Sequence, residues 1–79
     1  MENAKKEFGE RLRRYRLQAG WRSQAELARH IGVEENRYGH WERGIAVPHT
    51  VKTFPKLCTA LGITPNDLLL GLDKYDAPK

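Results

Sequence analysis

Apolar side chains recur at every third or fourth position through most of this chain, and glycine or proline interrupts the rhythm between runs. In the opening run, Phe8, Leu12, Tyr15 and Ala19 stand at i, i+4, i+7 and i+11, which predicts one buried stripe on a helix over 4–18 that Gly20 ends. The segment Ser23–Gly44 predicts two short helices joined by a tight turn at Gly32. Ser23 suits the N-cap of the first, with Glu26 three residues later to close a capping box. Leu27, Ala28 and Ile31 form that helix's apolar stripe, and Ala28 is small enough for a close helix crossing. The second helix turns Tyr38 and Trp41 inward and stops at Gly44, the residue type best able to adopt a left-handed helix end. An irregular stretch containing Pro48 follows. Thr53 then suits an N-cap with Pro55 in the first turn, Leu57, Cys58 and Leu61 face the core, and Gly62 ends the run. Thr64 caps a fifth helix with Pro65 first and Asp67 third, turning Leu68, Leu69 and Leu72 inward. The expected fold is all-α: five helices in one domain over 1–72, followed by a polar, frayed tail over 73–79.

Composition narrows the function more than the fold. With 79 residues there is room for one small core, so helix packing, with or without a partner chain, supplies the stability. The net charge of +4 favours a polyanionic partner only slightly, because many soluble domains are mildly basic. The crowding of Arg11, Arg13, Arg14, Arg16 and Arg22 says more than the sum. One cysteine precludes an intrachain disulfide, which suits a cytoplasmic protein, and Cys58 fits a small core position. No apolar run is long enough to span a membrane, and residues 1–7 carry no secretory core.

Enzymatic chemistry has little to work with. His30, His40, His49 and Cys58 sit on different elements, without a glycine-rich phosphate loop or a nucleophile beside a base. They lack the close pair spacing of a zinc site. The expectation is a non-enzymatic protein with no cofactor, no metal and no small-molecule ligand.

Four groups of residues together resemble one family. Leu12-Arg13 with Arg16, then Ser23-Gln24, Leu27-Ala28 and Gly32, then Glu42-Arg43-Gly44, and finally Leu61-Gly62-Ile63 with Leu68-Leu69 fall in order from Phe8 to Leu70. In this layout the chain resembles the Xre/Cro type of helix-turn-helix, the lambda repressor-like DNA-binding domain. The resemblance implies a compact five-helix domain whose second motif helix enters a DNA major groove. Aromatic Tyr38 and Trp41 stand where the family usually has branched aliphatics, and the Gly20–Ser23 link is one residue longer than the common form. Gly39, expected on the outward edge, weakens its helix by roughly 1 kcal/mol and suits close approach to the sugar-phosphate wall or to the neighbouring helix.

The resemblance also distributes roles. Glu35, Asn36 and His40 match positions where relatives touch bases, and Arg37 lies beside them. Chemically, Asn36 can bridge adenine N6 and N7, Arg37 can pair with guanine O6 and N7, His40 can donate to guanine N7, and Glu35 can accept from cytosine N4. Glu34 is better explained by the favourable helix dipole at its N-terminus. Gln24 matches a phosphate-contacting residue of the family, and Ser23, Arg22, Arg43 and Lys52 are further candidates for phosphate. Arg16 and Glu42 match a pair that commonly forms a structural salt bridge, whereas Arg11, Arg14 and Arg29 are expected to be merely solvated.

The implied function is sequence-specific binding to double-stranded DNA by a transcriptional regulator. A repressor acting as a homodimer on a near-palindromic operator is the simplest form, in a bacterial or phage-encoded protein of the cytoplasm, associated with the nucleoid. Its chief rival is a protein-interaction module on the same fold, an antitoxin or an adaptor to another regulator, which the acidic start of the recognition helix favours. Arg37, His40 and Arg43 on the same face favour DNA.

Overall fold

The computed structural model describes residues 2–48 and 53–69, and these form five helices and no strand among the described residues. In chain order they are α1 (Glu2–Gln18), α2 (Gln24–Ile31), α3 (Glu35–Glu42), α4 (Thr53–Leu61) and α5 (Pro65–Leu69). Helix α1 packs on α3 and α5, α2 packs on α3 and α4, and α4 packs on α5. The predicted residues 70–79, with Leu72 and the polar tail, lie outside the described residues, as do His49 and Lys52.

One core joins all five helices: Phe8 and Leu12 from α1, Leu27, Ala28 and Ile31 from α2, Tyr38 and Trp41 from α3, Leu57, Cys58 and Leu61 from α4, and Leu68 from α5. Each large side chain fully withdrawn from water contributes roughly 1.5–3 kcal/mol, so a core this small leaves little margin. Phe54 of α4 meets Phe8 of α1 obliquely, with ring centroids 6.4 Å apart. Burial pushes the Cys58 thiol up, with Asp67 adding to the effect, so the cysteine behaves as a small apolar residue.

Two expected core positions are corrected. Ala19 lies one residue beyond α1 and is exposed, because the chain has already turned toward Gly20; Ala4 is buried at the other end of the helix instead. Leu69 is 43% exposed, because five residues of α5 make little more than one turn and aim only Leu68 at the core. Helix α1 also starts two residues earlier than expected, and Thr53 is the first residue of α4 rather than its cap.

The caps otherwise follow local chemistry. The Ser23 hydroxyl accepts from Glu26 N at 3.1 Å. At α5 the Asp67 carboxylate reaches back to accept from Thr64 N at 2.9 Å. The Gly20–Ser23 link is pinned twice. Arg16 Nη1 donates to the carbonyls of Trp21 and Arg22 at 2.8 and 2.9 Å. Trp21 Nε1 donates to the Ala60 carbonyl of α4 at 3.1 Å.

Candidate nucleic-acid interface

Helices α2 and α3 are held at their mutual angle by Gly32, whose φ of 79° is left-handed and lets Val33 N donate to the Ala28 carbonyl at 2.8 Å. The same device ends α3: Gly44 has φ 79°, and Ile45 N donates back to the His40 carbonyl at 2.9 Å. Between these stops α3 shows two different edges. Tyr38, Gly39 and Trp41 are buried, with the two aromatic rings edge to face at 5.6 Å. Glu35, Asn36, Arg37, His40 and Arg43 are exposed, as is Glu34 at the N-cap.

Behind that edge lies a polar hub. The Glu42 side chain, only 3% exposed, accepts from Arg16 Nε at 2.6 Å, from Tyr38 OH at 2.7 Å and from Gln24 Nε2 at 2.9 Å. Arg16 spends its remaining reach on the two link carbonyls, so α1, α2, α3 and the link meet at one carboxylate. No buried polar side-chain atom among the described residues lacks a partner. A buried ion pair is sound only under that condition, since its attraction must offset the desolvation of both charges. Burial and then the hydrogen bond to Glu42 hold the Tyr38 phenol far above the usual tyrosine range. Burial alone would lower the Arg16 pKa, but the Glu42 hydrogen bond and charge, with a smaller part from Tyr38, raise it.

The other site residues are spread around this hub. Arg22 and Ser23 are exposed at the entry to α2, and Gln24 is half-buried at its first turn. Gln24 is more constrained than expected, because the carboxylate of Glu42 fixes its amide nitrogen and so also fixes where its oxygen points. Arg13, Arg14 and Arg29 are exposed. Arg11 is not simply solvated: it pairs with Glu7 at 3.1 Å and donates to the Leu68 carbonyl at 3.2 Å, tying α1 to the end of α5.

Two further contributors escape an apolar-stripe reading, and a third lies on the other edge from the one expected. Gly9 lets α1 and α3 cross so closely that a Cβ there would lie 2.6 Å from the Trp41 carbonyl and closer still to that of Glu42. Tyr38 supplies a hydroxyl to the hub as well as a ring to the core. Gly39, expected on the outward edge, is instead buried and faces the tips of Gln24 and Arg43. Glycines inside strongly patterned helices were the available signal for the first and third.

Comparison with known proteins agrees with this geometry. The helix-turn-helix domain family matches residues 7–70. A curated relative, the SPbeta prophage-derived HTH-type transcriptional regulator YonR of Bacillus subtilis strain 168, is 41% identical over 64 residues, 81% of this chain. The matched stretch is 57% of that relative, so the chain spans little more than half of its length. Among solved structures, the restriction-modification controller protein C.AhdI from Aeromonas hydrophila superposes with a TM-score of 0.71 at 37% identity, covering 86% of this chain and 98% of that one. The chain belongs to the Xre/Cro-type, lambda repressor-like helix-turn-helix family, whose members are DNA-binding regulators and not enzymes.

Proposed function

We propose that this chain is a sequence-specific, double-stranded-DNA-binding transcriptional regulator that acts as a homodimer on a near-palindromic operator and represses by covering a promoter. One observation carries the reading. Helix α3 keeps Glu35, Asn36, Arg37 and His40 exposed along a single edge, while its opposite edge is locked into the core and the Glu42 hub. Such an edge has the width and the donors and acceptors to read bases on the floor of a major groove. In this reading Asn36 and Arg37 pair with purines, His40 donates to a guanine N7, and Glu35 accepts from a cytosine N4.

Arg22, Ser23, Gln24, Arg43 and Lys52 then hold the flanking phosphates. Ser23 remains suited to this although it caps α2, because its oxygen accepts from Glu26 N and its O–H is left to donate. Arg16 and Glu42 contribute by holding α3 at the angle at which its edge stands out. In a dimer, two such edges about 34 Å apart fall in successive major grooves, which sets the half-site spacing.

Selection of bound duplexes from a random pool, followed by titration of the recovered duplex against salt, tests the proposal. Inverted repeats are expected, with a log–log salt slope near −7 for about four phosphate contacts per protomer in a dimer. An unenriched pool, with no duplex bound even at low ionic strength, would overturn it and favour a protein partner on the same fold.

A further inference from the structure

Gly39 lies in the middle of α3, where glycine weakens a helix, and it is buried. Neither a turn nor a positive φ requires it, since the left-handed glycines are Gly20, Gly32, Gly44 and Gly62. What a Cβ at this position would meet is specific: Arg43 Nη1 at 3.1 Å, Gln24 Oε1 at 3.2 Å and Arg43 Nη2 at 3.4 Å. One side chain from α2 and one from the cap of α3 therefore converge over the bare backbone of Gly39.

The orientation of the Gln24 carboxamide is determined. Glu42 Oε1 accepts from Gln24 Nε2 at 2.9 Å, so the carboxamide oxygen is the Gln24 atom left facing Gly39. Arg43 is exposed, and no described carboxylate pairs with it. Beside Gln24 the exposed α2 entry adds Arg22 and Ser23. The result is a notch over Gly39 in which the Arg43 guanidinium fork, a donor suited to phosphate oxygens, lies beside the Gln24 carboxamide.

We propose that Gly39 is a positioning residue for DNA: by withholding a Cβ it lets the Gln24 carboxamide and the Arg43 guanidinium close into one phosphate-binding notch. This rests on the DNA-binding reading above and adds a coupling between two side chains that otherwise would act separately. Because the Cβ would meet only the tips of two flexible side chains, the fold can absorb it, while each tip must give way by a few tenths of an ångström at the notch.

Gly39→Ala, Arg43→Ala and the double variant, titrated with the selected duplex over a range of salt, test this. Gly39→Ala is expected to keep or raise the Tm while weakening binding about three- to tenfold, the range of one net hydrogen bond. Its salt slope should be shallower by about 1–2, and the same change made on top of Arg43→Ala should have little further effect. Unchanged affinity and slope for Gly39→Ala, or a penalty that adds in full to that of Arg43→Ala, overturns the proposal. If Gly39→Ala lowers the Tm, the cycle of Gln24→Ala with Arg43→Ala decides instead: coupled losses support the notch and additive ones defeat it. A wild-type chain that binds no duplex sinks the DNA-binding reading and this proposal together, whereas normal wild-type binding with an indifferent Gly39→Ala sinks only the notch.

Discussion

The two edges of α3 are built on opposite principles. On the inner edge every polar group is committed: the Glu42 carboxylate is shared by Arg16, Tyr38 and Gln24, and Trp41 and Tyr38 pack edge to face in the core. On the outer edge Glu35, Asn36, Arg37 and His40 are exposed, and among the described residues none of their side chains makes a hydrogen bond or ion pair. Eight residues thus divide into a buried half that ties the domain together and an exposed half that carries no such contacts among the described residues. Precision at the outer edge is therefore borrowed from the inner one, since an exposed side chain is placed only as well as the helix that carries it.

The comparison is broken most severely at its hub. Glu42→Ala leaves the buried Arg16 guanidinium without its carboxylate and removes the acceptor of Tyr38 OH and Gln24 Nε2. A loss of about 3–5 kcal/mol is expected, read as a shift of the urea unfolding midpoint, with DNA binding lost alongside. Unchanged stability with binding lost would show that the carboxylate belongs functionally to the outer edge.

Gly9→Ala attacks the same edge from behind. Its Cβ would press into the carbonyls of Trp41 and Glu42, which are backbone atoms of α3 and cannot rotate aside. Forcing α1 and α3 apart should cost about 1–3 kcal/mol or more, although alanine is the better helix former. A thermal scan distinguishes the outcomes: a rise in Tm would mean that the crossing is looser than its geometry states. The contrast with Gly39, whose Cβ meets only side-chain tips, shows why two helix-interior glycines need not carry the same penalty.

How much of this was legible in the sequence follows from the range of each interaction. Features set within one turn read directly: the Ser23 cap, the left-handed stops at Gly32 and Gly44, and the inward pair Tyr38 and Trp41. Periodicity failed where an element was about to end, as at Ala19 and Leu69, because a pattern of spacings does not record that the chain has turned away. The Arg16–Glu42 partnership was expected only through family likeness, since a contact 26 residues apart leaves no local trace. Arg11 on the Leu68 carbonyl, Gln24 on Glu42 and the closeness required of Gly9 are likewise products of packing, and hydrophobic patterning is blind to each.

The mildest perturbation sharpens the contrast most. Arg37→Ala removes an exposed guanidinium that no described carboxylate engages, so unfolding free energy should move by no more than about 0.5 kcal/mol. If Arg37 reads a base, the same change should weaken the selected duplex by about 1–3 kcal/mol and relax preference at one position of the site. If it only neutralises a phosphate, affinity should fall evenly for all sequences and the salt slope should lessen by about 1 per protomer. Measuring both stability and sequence preference on this one variant therefore separates a reading edge from a merely basic one. An Arg37→Ala domain that lost several kcal/mol of stability would show that the outer edge is not free at all, and the division of α3 would fail with it.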